Sequence, residues 1–264
     1  MRAAGLLVKE MPESPLGRPR RAFVFLPVAI AALSAMLASQ MISRDARLLV
    51  PVAVLAMLLF AHSVVGRLRM RRLLMSGDVE RVIGTWEGTI ERVPHSETMA
   101  PLLLATAYAS YGWIEAARRA LARAVEGPAW DAALEQRLFV ETLLDTFEGD
   151  RETAMRKAHA LEALPMPRAG LLARRRVALL RRGLAALTRA FAHTSRDGDA
   201  ALLAKAAVNS PLVHWAMRYA GAIVAVDCGR PREANELLSG APAWPTQSAF
   251  HEYHRELTTR SALG

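Results

Sequence analysis

Residues 22–42, AFVFLPVAIAALSAMLASQMI, carry no ionisable side chain over 21 positions. At 1.5 Å per residue, a helix of that length reaches about 30 Å, the thickness of a bilayer's hydrocarbon core. After the five residues SRDAR, residues 48–65 (LLVPVAVLAMLLFAHSVV) add 18 positions without formal charge. So short a link leaves only an antiparallel arrangement, and the spacing predicts a two-helix transmembrane hairpin. Pro27 and Pro51 fall in the first turns of these helices, where a missing N–H costs least. Ala31, Ala35 and Ser39 recur every fourth residue and give the first span a small-residue face for close packing.

The flanks set the expected direction. Arg2, Lys9, Arg18, Arg20 and Arg21 mark residues 1–21 as a basic tail, and Arg67, Arg69, Arg71 and Arg72 follow the second span. Only Arg44 and Arg47 lie between the spans, so the positive-inside rule puts both termini in the cytoplasm. A cleaved signal peptide is the competing interpretation of the first run, but its apolar stretch is long for that purpose and a second span follows at once. His62 falls near the cytoplasmic end of its span, where it is expected at the interface.

Composition agrees with a membrane chain: 52% of the 264 residues are apolar. The net charge of +9 rests almost wholly on arginine, since Lys9, Lys157 and Lys205 are the lysines. Arginine and alanine in such excess match the codon usage of a GC-rich bacterial genome, so the charge alone is no nucleic-acid signature. The single cysteine, Cys228, excludes an internal disulfide. It follows an apolar helical stretch, which predicts a buried structural thiol rather than a nucleophile.

From Gly66 onward the apolar spacing is helical throughout, with no strand alternation, so residues 66–264 are expected to form an all-α cytoplasmic domain. No turn cluster separates residue 65 from 76, and the second span's helix is expected to run on to about Met75. A turn glycine, an alanine five residues on and a proline eleven further recur as Gly112, Ala117, Pro128 and as Gly149, Ala154, Pro165, a period of 37. Gly229, Ala234 and Pro245 repeat the pattern about two periods later, and Gly77 with Pro94 close an earlier, degenerate copy. Between these, helices are expected over about 168–192 and up to 207, with a turn at Asp197 and Gly198. A last helix over about 247–259 would cap the stack.

Leu104, Ala105, Tyr108, Ala117, Leu121 and Pro128 resemble the tetratricopeptide repeat pattern of Leu-Gly-x-x-Tyr, then Ala-x-x-x-Phe, then Pro. Small residues at 105 and 117 let the paired helices approach, and bulky ones at 108 and 121 fill the space between repeats. Pro101 departs from the family, which often has Trp there. The resemblance covers residues 76–165 and, more weakly, 211–245. It implies an α-solenoid of helix pairs, whose first helices line a concave groove for protein partners. Carried onto this chain, that groove would present Met99, Leu102, Thr106, Ala109 and Ser110, then Gln136, Phe139, Leu143, Thr146 and Phe147. The alternative is that the C-terminal helices fill it themselves.

Arg174, Arg175, Arg181, Arg182 and Arg189 recur at sevens and eights and are expected to share a face for anionic lipid or an acidic partner. No aromatic base-stacking pattern accompanies them, which argues against nucleic acid. HEYH offers His251 and His254, but Arg255 stands where a second zinc-binding histidine one turn on would be needed, so no metal site is expected. No phosphate-binding glycine loop, nucleophile elbow or carboxylate pair stands out, and neither catalytic residues, a cofactor nor a small-molecule substrate is expected. Together these features predict a multi-pass protein of the bacterial inner membrane whose cytoplasmic tetratricopeptide-like domain serves as a scaffold for membrane-associated partners. The rivals are an envelope-assembly factor with its domain outside the cytoplasm, and a helical subunit of a membrane transport or enzyme complex.

Overall fold

The computed structural model describes residues 49–90 and 92–263, all of them helix, turn or loop with no strand. The basic tail, the first apolar run and the link after it lie outside the described residues. Helix α1, Leu49–Met75, begins within the second apolar run and continues without a break through Gly66 into the arginine-rich segment. Among the described residues, no helix is long and apolar enough to cross a membrane. The chain divides after Arg67 into two compact units, of which the second, Leu68–Gly264, carries every further element.

In that unit α2 spans Val79–Ile90, α3 Ser96–Ser110, α4 Ile114–Leu121, α5 Pro128–Ala132, α6 Leu134–Glu148 and α7 Arg151–Ala163. Helices α8, Leu171–Phe191, and α9, Asp199–Asn209, follow, and a 3-10 turn at Pro211–Val213 leads to α10, His214–Asp227. Helix α11 is Pro231–Leu238 and α12 is Ala249–Leu263. Helices α3 and α4 pack together as a hairpin, as do α6 and α7, α8 and α9, and α10 and α11. First helices also pack on one another, α3 on α6, α6 on α8 and α8 on α10, while α12 lies against α10 and α11.

Local sequence explains the helix ends. Asp78 and Asp150 accept from the backbone N–H of Arg81 and Thr153, three residues on, and start α2 and α7. Gly149 takes the left-handed conformation that ends α6. Pro101 lies inside α3 and cannot donate to the carbonyl four residues earlier, Glu97 O; the N–H of Val125, from the loop after α4, takes that acceptor at 3.2 Å. Thr98 Oγ1 donates to Val125 O at 2.7 Å, so the loop is fastened in both directions.

The turn glycines Gly112, Gly149 and Gly229 all have positive φ, and the alanines five residues later, Ala117, Ala154 and Ala234, are buried. The α8–α9 pair is the copy that the glycine pattern skips. His193, at φ 56, takes the left-handed turn position there, and its ring is held by Asp227 at 2.8 Å.

Alanine dominates the buried face, and close helix approach follows from it. The tightest point is Gly183 in α8, where an added Cβ would lie 2.6 Å from Ala206 Cβ of α9. The bulky part of the core is aromatic. Phe250 of α12 stacks on Tyr219 at 4.9 Å and meets Trp244 and Phe147 edge-on at 5.0 and 5.3 Å. Such pairs contribute about 0.5–1.5 kcal/mol each beyond the area that they bury.

Two glycines in helix interiors should respond in opposite directions. Gly84 of α2 is exposed with nothing near its missing Cβ, so Gly84→Ala should stabilise the protein by about 0.4–1 kcal/mol. Gly183→Ala makes the same propensity gain, but overpacking of about 1–3 kcal/mol outweighs it. Thermal unfolding of the full chain in detergent should show a raised Tm for the first variant and a lowered one for the second.

Candidate functional site

A largely apolar cavity of about 690 Å³ opens between α3, α5, α6 and α8. Met99 and Thr106 of α3, Gln136 and Phe139 of α6, Leu161 of α7, Val177 and Leu180 of α8, and Leu212 of the 3-10 turn line it. One wall is alanine: Ala129 and Ala132 of α5, with Ala133 beside them. A five-residue helix faced with methyl groups cannot reach across to α8, and the space stays open for that reason. Its size and apolar lining fall within the range typical of ligand-binding pockets.

His95 and Glu135 also line the space, and Thr106, Gln136 and Arg181 are engaged with their neighbours. Thr106 Oγ1 donates to Leu102 O at 2.7 Å and accepts from Gln136 Nε2 at 3.1 Å. Arg181 is buried, and its guanidinium donates to Glu135 Oε1 at 3.0 Å, Leu164 O at 2.6 Å and Pro165 O at 3.3 Å. Those carbonyls belong to the C-cap of α7 and the residue after it, so Arg181 fastens the chain where it leaves that helix, from across the cavity floor.

The eight groove positions therefore divide. Met99, Thr106, Gln136 and Phe139 line the cavity. Leu102, Ser110, Leu143 and Phe147 are buried. Ala109 is buried as well, and Thr146 donates to Thr142 O. Phe147 is covered by the C-terminal helix: Phe250 and Tyr253 pack on its ring, and Tyr253 Oη donates to its carbonyl at 3.0 Å. Of the eight expected positions, four are thus covered by the chain itself, and the other four line the cavity.

The arginines divide too. Arg174, Arg175 and Arg182 are exposed, while Arg181 and Arg189 are buried and do not belong to a shared solvent face. Arg189 makes a bidentate pair with Asp199 at 2.9 and 2.7 Å and ties α8 to the start of α9. Burial works against the Asp199 carboxylate, but Arg189 and the N–H of Arg196 outweigh it and hold its pKa below the ordinary carboxylate range. A seven-residue spacing alone cannot separate these positions; Arg189 has an acidic partner ten residues on, whereas the partner of Arg181, Glu135, lies 46 residues away in the sequence.

A second polar cluster joins α4, α6 and α7. Asp145, buried on α6, receives Arg118 at 2.9 Å and Lys157 at 2.8 Å, and Lys157 also reaches Glu141 at 2.9 Å. Burial alone would lower the Lys157 pKa, yet its two carboxylate partners raise it. The cluster fixes two hairpins to each other and offers no open coordination to a ligand.

His193 and Asp227, 34 residues apart, form a pair that periodicity does not reveal. They border a smaller cavity of about 280 Å³ with Arg151, Glu256 and Arg260. Among the described residues no hydroxyl or thiol is hydrogen-bonded to His193, and the pair lacks a nucleophile to activate. His251 Nδ1 donates to Trp244 O at 3.0 Å, and His254 Nδ1 lies 3.0 Å from Tyr219 Oη, so both histidines of HEYH serve the aromatic core. Among the described residues no three His, Cys, Asp or Glu side chains come together as a metal-binding group. Cys228 is exposed rather than buried, because α10 ends at Asp227 and the turn to Gly229 carries it outward.

No family model, curated protein or solved structure matches the chain.

Leu212 reaches the cavity from the turn that His214 follows. The His214 ring is buried, and its Nδ1 donates to Ala207 O at 3.1 Å, which joins α9 to α10. Burial, with Arg218 and Arg71 nearby, lowers its pKa below the ordinary 6.5 despite the Ala207 bond. The unfolded chain then takes up a proton that the folded chain refuses, so this contribution to stability is whole above pH 6.5 and is lost as pH falls towards the folded value. His214→Asn keeps a donor for Ala207 O and removes the titration. Its unfolding free energy should fall less steeply than that of the natural protein between about pH 7 and pH 5.

Proposed function

We propose that this chain is a membrane-anchored scaffold in which a tetratricopeptide-like stack of helix pairs offers the open half of its groove to an apolar segment of a membrane-associated protein. The observation that carries this reading is the cavity of about 690 Å³, walled by Met99, Phe139, Leu161, Val177, Leu180 and Leu212. An amphipathic helix or extended segment supplies the spaced apolar side chains that such a surface takes. Thr106, Gln136 and Arg181 of its wall are already bonded to neighbours, and the remaining lining is mostly apolar.

Anchoring is supported by the uncharged runs at 22–42 and 48–65 and by the apolar side chains of Met57 and Phe60 on α1, which are exposed by 72% and 71%. Exposed apolar groups of that size, within the uncharged first part of a helix, favour hydrocarbon over water. An anchored scaffold meets its partners in the plane of the membrane, at a raised effective concentration. The location proposed is the bacterial inner membrane, with both termini in the cytoplasm.

Binding in the cavity is tested by placing a photo-crosslinking amino acid at Phe139 and, as a control, at Glu152, which lies exposed on α7. Irradiation of cells should join position 139, and not position 152, to one discrete protein of the membrane fraction. Ala132→Phe, which fills the cavity without removing any contact, should abolish that product. Cross-links to lipid alone, or equal products at both positions, overturn the reading. Topology is tested with reporters fused after Gly264: a cytoplasm-dependent reporter should be active there and a periplasm-dependent one silent, and the reverse would favour an envelope role.

A further inference from the structure

We infer that the start of α8 is itself a membrane contact, which seats Leu171 and Leu172 in the interfacial layer among anionic lipid headgroups. Residues 168–176 are all exposed, so the first turns of α8 extend past the helices that cover the rest of it. Leu171 and Leu172 are each exposed by 74%, the largest values of any bulky apolar side chain described. A soluble helix has no use for adjacent uncovered leucines at its tip. An interfacial one buries such groups at the headgroup–acyl boundary and surrounds them with cations.

The surrounding charge is of one sign. From residue 163 to 196 the chain has eight arginines and no acid. Two of these, Arg181 and Arg189, are held in internal ion pairs by Glu135 and Asp199. Arg168, Arg174, Arg175 and Arg176, around the leucines, have no carboxylate partner among the described residues. Cations near a helix N-terminus also oppose its dipole, and α8 has no acid in its first turn. External anions relieve both effects. A bilayer supplies them beside a phase that accepts leucine, and each cation near an anionic surface adds to the attraction. RNA fits less well, since no aromatic residue lies between Phe147 and Phe191 to stack on a base. This inference rests on the membrane-anchored reading, and the two can fail separately.

The test uses the full chain with Cys228→Ser, so that an introduced cysteine is the sole labelling site. A nitroxide is attached at Leu172→Cys or, as a control, at Glu152→Cys. Its collisions with oxygen and with a water-soluble nickel chelate are measured in vesicles of phosphatidylcholine, with and without phosphatidylglycerol. With phosphatidylglycerol, the label at 172 should lose chelate accessibility and gain oxygen accessibility, while the label at 152 stays in water. Arg174→Gln, Arg175→Gln and Arg176→Gln together replace exposed side chains only, and should return the label at 172 to water with an unchanged circular dichroism spectrum. Chelate accessibility at 172 that ignores phosphatidylglycerol overturns the inference. Extraction of native membranes at alkaline pH decides the anchor independently: release of the chain defeats the anchored reading, whereas retention with an exposed label defeats only the contact at α8.

Discussion

The turn at Tyr111 and Gly112 is the joint on which the helical unit depends. Tyr111 is buried, and its hydroxyl donates to Leu74 O at 2.7 Å, one of the carbonyls that the end of α1 leaves unpaired. Trp215 Nε1 satisfies the next, Met75 O, at 2.8 Å. From the other side, Ser248 Oγ donates to Tyr111 O at 2.7 Å and the N–H of Ala249 to Gly112 O at 2.8 Å, so the N-terminal end of α12 is fastened to the same turn. Gly112 is required twice over. Its φ of +73° disfavours other residues, and a Cβ there would come within 3.1 Å of Ser248 Oγ. The start and the finish of the unit thus meet at one tight turn between α3 and α4.

That joint accounts for the division of the groove. Once Ser248 and Ala249 are held at Gly112, α12 must run along α10, and Phe250 enters the ring of aromatics formed by Phe147, Tyr219 and Trp244. Burial raises the Tyr219 hydroxyl above its usual range, and it receives Trp244 Nε1 at 2.8 Å while facing His254, so the cluster is both apolar and internally hydrogen-bonded. The last turn of α6 lies beneath it. The first turns of α6, with Gln136 and Phe139, lie beyond its reach and line the cavity opposite the alanines of α5. One interaction therefore both closes one part of the inner surface and leaves the other open.

The sequence made the helix pairs legible through residues with a strict local requirement. Gly112, Gly149 and Gly229 stand where the backbone turns left-handed, and Ala117, Ala154 and Ala234 where helices cross closely; both demands act on one residue at a time and survive when the rest of a repeat drifts. What periodicity could not supply was which neighbour covers a given face. Arg174 and Arg181 are two helical turns apart on α8, yet one is in solvent and the other fastens the chain where it leaves α7, because α6 and α7 reach only as far as the second. Phe139 and Phe147 differ in the same way on α6, and a helix 100 residues further along the chain makes the difference. His193 escaped notice because its turn position is one that glycine usually takes, and Asp227 holds it from a distant helix.

The open cavity and the exposed start of α8 share a helix, and that continuity bears on how the proposed scaffold would work. Val177, Leu180 and Arg181 face the cavity, while Leu171, Leu172 and the arginines up to Arg176 precede them by one to two turns. Arg181 joins this helix to Glu135 of α6 and to the carbonyls of Leu164 and Pro165, so the floor of the cavity cannot shift relative to α8 without exposing a buried guanidinium. A rigid floor suits recognition by shape, because a segment docked against Phe139 and Leu180 does not first have to order the wall that receives it. The alanine wall across from it is tied down as well: Arg137 of α6 donates to Trp130 O of α5 at 3.4 Å and lies over the Trp130 ring at 4.1 Å, so in the proposed role a docked segment would meet a preformed surface on both sides.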